Sequence, residues 1–306
     1  MNVVDRIKNR ELMGKSMPPE KLTHDKLKFK TLSKQHSTAK EYTVKPLKVL
    51  AIMGSPRKKG NTYKLTRKVE EKMKQLGNVE FEYLFLKDVN LQPCKGCFLC
   101  IPKNENLCPL KDDLAEIEKR IMESDGVILT SPVYALQISW LMKILVDRLA
   151  YLFHRPRYFG KSAMAISTTG GLGLKETLNY LEVVAEGWGL NFVCKLGIET
   201  PPWPKTSKSN KRNEKKIHNT AKTFYDSLGS KKLQNPSLRK YIGFKIVKGL
   251  SERLKEYLQA DYQFYKNREN YYYDMEIGVF KKIGAWLMLK IGFFMMRDNF
   301  VENKKE

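Results

Sequence analysis

Residues Leu47–Thr62 read LKVLAIMGSPRKKGNT. The segment opens as an apolar run rich in Val, Ile and Leu, too short for a helix and suited to a strand buried on both faces. Gly54, Ser55, Pro56 and Gly60 then force a tight polar loop. From Tyr63 to Leu76, apolar residues at Leu65, Val69, Met73 and Leu76 recur at helical spacing, and Asn61 or Thr62 is expected to cap that helix. A strand, a glycine loop and a helix start form an anion site, because free backbone N–H groups and the positive end of the helix dipole face the loop. Ser55, Arg57, Asn61 and Thr62 add hydroxyl, guanidinium and amide donors. Five residues separate Gly54 from Gly60 and Asn-Thr follows, so the spacing excludes a P-loop, and no G-x-G-x-x-G is present. Side-chain hydroxyls in place of a bare glycine nest suit a terminal phosphate monoester.

GSPRKKGNT resembles the FMN-phosphate loop of the NAD(P)H-dependent FMN reductases of the flavodoxin-like superfamily. The chain after it alternates as a parallel α/β sheet requires. Strands are expected at Val79–Leu86, Gly126–Thr130, Ser162–Ile166 and Asn191–Ile198. Helices are expected at Asp113–Ser124, Leu136–Phe153 and Leu174–Glu186. The resemblance implies a doubly wound, five-stranded sheet of order 2-1-3-4-5 over residues 47–200. In such sheets ligands sit at the carboxyl ends of the strands, where strand order reverses. It further implies that Pro132, Val133 and Tyr134 lie along the isoalloxazine ring, and that Thr168, Thr169, Gly170 and Gly171 meet its pyrimidine edge. Hydride chemistry would then occur at the flavin, with no catalytic side chain assigned.

Four of the five cysteines fall in Cys94-Lys-Gly-Cys97-Phe-Leu-Cys100 and, farther on, Cys108, a C-x2-C-x2-C-x7-C array. In a reducing compartment such density points to metal or redox chemistry rather than a disulfide framework. Three thiolates at three-residue spacing with a fourth from farther along suit a cubane cluster. Zinc ordinarily asks for paired C-x2-C units or added His, and redox-active thiols remain a further reading. The array also resembles that of the iron-sulfur flavoproteins, which place it after the second strand and before an acidic helix start such as Asp112-Asp113. That resemblance implies a [4Fe-4S] cluster on Cys94, Cys97, Cys100 and Cys108. Cys194 reads as a small apolar residue of the fifth strand.

The chain has 306 residues and a net charge of +23, distributed as +7 over residues 1–48, +4 over 49–202 and +12 over 203–306. The middle is thus an ordinary domain between basic flanks. Residues 1–46 read as a polar, Lys-rich arm. Residues 201–306 read as a basic, aromatic-rich helical extension, entered through a Pro-rich hinge and a basic run, with a first helix at Thr220–Leu228. The extension is expected to serve attachment rather than chemistry, so that truncation after Leu228 leaves FMN binding intact. Its Ile283–Met296 segment is apolar around most of its circumference and too short to span a bilayer. It suits packing on protein, a subunit interface, or peripheral membrane contact with Lys281, Lys282, Lys290 and Arg297 near headgroups.

The start MNVVDRIKNRELMGK has no apolar leader segment, so a cytoplasmic location is expected, with membrane association through the extension as the variant. The expected function is an FMN-dependent oxidoreductase fed by NAD(P)H or a reduced protein, its acceptor open. The alternatives are a flavodoxin-type electron carrier and a cluster-free NAD(P)H:FMN or quinone reductase. Expected partners are further copies in a homodimer or tetramer and an acidic electron-transfer protein such as a ferredoxin. Nucleic acid is not expected, because the basic runs lack interleaved aromatics.

Overall fold

Alternate residues of the first strand, β1 (Leu47–Met53), feed opposite layers of the molecule. Val49, Ala51 and Met53 point into one core, and Leu50 and Ile52 into the other. Every residue from Val49 to Met53 is buried, as a central strand covered on both faces requires. The computed structural model describes residues 45–230 and 233–295. Most of the expected N-terminal arm, and Arg297, lie outside them.

β1 is an interior strand of a parallel sheet of order β2-β1-β3-β4-β5, with β2 at Val79–Phe85, β3 at Gly126–Pro132, β4 at Ser162–Thr169 and β5 at Asn191–Glu199. This is the flavodoxin-like order expected from the sequence. Helices α2 (Leu114–Glu123), α3 (Trp140–Arg148) and α4 (Leu174–Gly187) cover the face that receives Leu50 and Ile52, burying Ile117, Ile121, Leu145 and Leu181 there. The other face carries α1 (Asn61–Lys74) and α5 (Ser207–Ser227), through Leu65, Val69, Met73, Ile217, Ala221 and Phe224. Each of the buried Leu, Ile, Val, Met and Phe side chains among these contributes roughly 1.5–3 kcal/mol of apolar burial.

Several expected boundaries move for physical reasons. The run KTSKSNKRNEKK is helix rather than hinge: Thr206 caps α5 by accepting from the Ser209 N–H at 3.2 Å, and one buried stripe suffices beneath a lysine-rich face. β3 continues through Ser131 and Pro132, which pair with Ser167 and Thr168. Pro132 ends it, having no N–H to offer the next ladder position. The expected helix from Leu136 starts only at Trp140, capped by Ser139, and gives way after Arg148 to a 3₁₀ turn over Ala150–Phe153.

The extension has an aromatic core of its own. Tyr241 and Phe244 of α6 (Leu238–Arg253), Tyr265 of α7 (Gln259–Tyr265), Ala285 of α8 (Val279–Met295), and Tyr271 and Ile277 from the segment between α7 and α8 are all buried together. Phe159 joins this core to the sheet domain by stacking on Tyr272, with ring centroids 5.2 Å apart. α8 packs on α6 and leaves Phe280, Ile283, Trp286, Leu287 and Ile291 exposed. Among the described residues, no helix is long and apolar enough to cross a membrane.

Candidate functional site

The loops leaving β1, β3 and β4 meet at one rim, at the carboxyl ends of the strands and beside the point where strand order reverses. Their contacts are close. The Gly54 N–H donates to the Thr130 carbonyl at 2.9 Å, and the Ser139 hydroxyl donates to the Gly54 carbonyl. A Cβ at Gly54 would stand 2.7 Å from the Thr130 oxygen, so no larger residue fits. The hydroxyls of Thr62 and Thr168 lie 2.7 Å apart and share one hydrogen bond, which ties the first loop to the third and leaves one hydroxyl proton for another acceptor. Val133 N–H donates to the Thr168 carbonyl at 2.9 Å.

Within the first loop, Ser55 is buried and its Oγ accepts from the Arg57 N–H at 3.1 Å, while the Arg57 side chain is exposed. The helix cap departs from expectation. Gly60 occupies the N-cap of α1 without a side-chain bond, and Asn61 and Thr62 are the first helical residues. Thr62 is directed to Thr168 instead of its own helix. The α1 N-terminus therefore carries no carboxylate of its own in its first turn, which leaves its positive end for an outside anion.

Pro132 is buried, Val133 half-buried and Tyr134 exposed. Tyr134 and Gln137 exchange backbone bonds of 2.9 and 3.0 Å across Ala135 and Leu136, whose φ values are 46° and 65°. Two consecutive left-handed residues make a hairpin turn of the type ordinarily filled by Asn-Gly. Ala-Leu there is strained by about 1–3 kcal/mol per residue, and such strain gathers at functional loops. Ala-Leu carries no turn signature, so sequence reasoning had nothing to find. The third loop packs against this turn: Gly173, with φ +84°, sits where a Cβ would come within 2.6 Å of Leu136 Cα. Thr169 Oγ1 accepts from Gly171 N–H at 3.1 Å, and a Cβ on Gly170 or Gly171 would meet nothing within 4 Å, so space lies open above them. The rim thus brings together Ser55, Thr62, Val133, Tyr134, Thr168 and Thr169, with Gly170 and Gly171 open to solvent. Its donor set and open cradle fit a phosphorylated planar ligand.

Cys94, Cys97, Cys100 and Cys108 line a single cavity of about 230 Å³, together with Asp112 and Arg148. All five cysteines are free thiols. Cys94 and Cys97 are exposed, Cys100 and Cys108 half-buried. Burial pushes the Cys100 thiol up, and the neighbouring Cys94, Cys108 and Cys97 push it further in the same direction. Among the described residues, no three His, Cys, Asp or Glu side chains already converge at ligating distance. Four thiols lining one cavity nonetheless fit a thiolate-held group, and Cys94 and Cys97 sit on a segment without regular structure between Asn90 and Phe98. Cys194 lies apart, beside the other core, its thiol pushed up to about 12 by burial.

Two buried arginines, neither flagged by any motif, hold the cysteine loop. Arg148 at the end of α3 makes a buried fork onto Asp112, donates to the Gln92 carbonyl at 3.0 Å and reaches the Cys108 sulfur at 3.8 Å. Asp112 in turn accepts from Gln92 N–H at 2.9 Å, so both flanks of the cysteine segment close on one ion pair. Arg155 donates to the Ile101 carbonyl at 2.9 Å and to the Cys100 carbonyl at 2.5 Å.

Burial alone would raise the Asp112 pKa, but the Arg148 fork and the N–H donors of Gln92 and Leu114 outweigh it and hold the carboxyl below the ordinary carboxylate range. A depressed folded value means that the stabilisation is fully present above the ordinary range and is lost as pH falls through the folded one. Urea midpoints are therefore expected to be insensitive to Asp112 between neutrality and about pH 5 and to fall below about pH 4. Asp112→Asn should flatten that acid limb, and an unchanged limb would show that other carboxylates dominate.

Comparison with known proteins gives four findings. The family described as NADPH-dependent FMN reductase matches residues 47–195. An iron-sulfur flavoprotein of Archaeoglobus fulgidus is 31% identical over 229 residues, which are 72% of this chain and 99% of that protein. An iron-sulfur flavoprotein of Methanocaldococcus jannaschii is 45% identical over 102 residues, 33% of this chain and 51% of that one. Among solved structures, an NADH:FMN oxidoreductase in its apo form overlaps 60% of this chain and 91% of its own at 20% identity, with a TM-score of 0.44.

Proposed function

The chain belongs to the iron-sulfur flavoproteins of the NADPH-dependent FMN reductase family and is an NAD(P)H-dependent flavin oxidoreductase, and from that premise we propose how its residues divide the work. Ser55, Arg57, Asn61 and Thr62 hold the FMN phosphate, Pro132, Val133 and Tyr134 flank the ring, and Thr168, Thr169, Gly170 and Gly171 border its pyrimidine edge. Cys94, Cys97, Cys100 and Cys108 hold a [4Fe-4S] cluster. When bound, FMN supplies a hydride acceptor that also passes electrons singly, and the cluster supplies a one-electron relay.

The observation that carries this reading is the convergence of three strand-end loops on one rim, locked by the Thr62–Thr168 hydroxyl pair. Arg57 offers an exposed cation to a phosphate dianion, and the α1 N-terminus adds its positive end. Thr62 and Thr168 keep one hydroxyl proton to donate. Tyr134, Leu136, Trp140 and Leu172 stand exposed around the rim. A second copy of the chain covering these side chains would exclude water from the ring. The electron acceptor is an external one-electron or two-electron carrier, and the basic surface favours an acidic protein partner.

Purified protein, prepared without oxygen, is expected to bind FMN, to oxidise NAD(P)H, and to contain iron and acid-labile sulfide in equal amounts. Arg57→Ala removes a charge-assisted contact of roughly 1.5–3 kcal/mol, so FMN affinity should fall about 10- to 150-fold. Equal retention of FMN by that variant in a fluorescence titration would remove Arg57 from the phosphate site. Iron-free protein that still reduces FMN would leave the cluster-free reductase as the function.

A further inference from the structure

Arg155 is 4% exposed and Asp261 is 0% exposed, yet the two are far apart in sequence, the first just after the 3₁₀ turn that follows α3 and the second in α7 of the extension. One guanidinium nitrogen of Arg155 bonds Asp261 Oδ1 and the Ile101 carbonyl; the other bonds the Cys100 carbonyl and Glu105 Oε2. A buried guanidinium needs a buried counter-charge. Glu105 is partly exposed and shared with Arg157, which reaches it at 2.5 Å, so the fully buried carboxylate facing Arg155 is Asp261. Asp261 is fixed on its other side by His154 Nδ1 at 2.7 Å, and the adjacent Ala260 N–H donates to the Pro102 carbonyl at 3.0 Å. The Tyr265 hydroxyl closes the contact on the His154 carbonyl at 2.5 Å.

The two anchors of the cysteine loop therefore differ in origin. The pair Arg148–Asp112, which closes the loop around Gln92 and Cys108, lies wholly within the sheet domain. The second, which holds the backbone at Cys100 and Ile101, depends on a carboxylate that the extension carries 106 residues away from Arg155. We propose that Asp261 is a positioning residue for the cysteine centre: acting through Arg155, it fixes the backbone that presents Cys100 to the cavity. The inference rests on the reading of the four thiols as one ligand set. It makes the extension a structural part of the centre rather than an attachment alone.

The test uses the full chain. In metal-free protein, the alkylation rates of Cys100, Cys97 and Cys194 by iodoacetamide are followed by peptide mass spectrometry. In parallel, iron and sulfide are measured after anaerobic reconstitution, and FMN is titrated. Asp261→Asn keeps the shape and removes the charge. It is expected to raise Cys100 alkylation about tenfold, since removing one partner of a buried pair makes local opening easier. Cys194 should be unaffected, iron content should fall, and FMN affinity should stay at the wild-type value. Asp261→Glu should recover part of the iron. Should the Asn variant fail to fold, Arg155→Lys serves, because a single ammonium keeps the charge beside Asp261 but cannot span both carbonyls. Wild-type alkylation of Cys100 and full iron in either folded variant overturns the proposal. Wild-type protein that takes up no iron overturns the cluster instead, and the alkylation comparison still decides whether Asp261 holds Cys100 in place.

Discussion

Arg148→Ala is expected to lower folding stability by about 3–5 kcal/mol, the cost of leaving a buried carboxylate without its partner. The partner here is Asp112, and both side chains are almost fully buried. The arginine also holds the Gln92 carbonyl and lies beside the Cys108 sulfur, so its loss frees both flanks of the cysteine segment. Arg148→Lys should recover only part, since a lysine cannot make the two-pronged contact that the guanidinium makes with Asp112. Pairing Arg148→Met with Asp112→Asn removes both charges, and the double variant should be more stable than Arg148→Ala. Urea unfolding followed by circular dichroism checks the order of the three. A cost below about 1 kcal/mol for Arg148→Ala would mean the pair behaves as an exposed one.

The parts of this molecule legible in its sequence are those whose physics is local. An apolar run followed by Gly54 and a helical stripe at Leu65, Val69 and Met73 announces β1, its loop and α1 over fewer than thirty residues. The sheet order followed from resemblance to a flavodoxin-like family, and the observed order agrees with it. The first half of α5 hid behind its lysines, while its end was read as a helix at Thr220–Leu228; only Ile217, Ala221 and Phe224 of its 21 residues are buried. The turn at Ala135-Leu136 was invisible because its residue types carry no turn signal, and the close approach of Gly173 to Leu136 is set by the fold. Arg148, Arg155 and Asp261 were invisible for a different reason. A buried ion pair 36 or 106 residues apart leaves no periodicity and no spacing to read. It exists only once the fold has brought α3 and α7 to the same loop.

Cys97→Ala is expected to remove essentially all iron and sulfide while leaving the fold and FMN binding where they were. The side chain is exposed, so its loss opens no cavity in the core, and the cost to folding of the metal-free chain should stay within about 0.5 kcal/mol. The phosphate loop at Gly54–Gly60 and the rim at Thr168 are untouched, so FMN titration should match the wild type. A four-thiolate set, by contrast, has no spare ligand: among the described residues no fifth cysteine and no histidine lines the cavity, and its carboxylate Asp112 is already committed to Arg148. One-electron acceptors should consequently slow while two-electron reduction of free flavin continues. Cys194→Ser supplies the control. That thiol faces the α5 side of the sheet and should leave iron content unchanged. Zinc in place of iron in the wild-type protein, or full iron in the Cys97 variant, would show that these cysteines do not hold the proposed cluster, and NAD(P)H oxidation would then proceed through FMN alone.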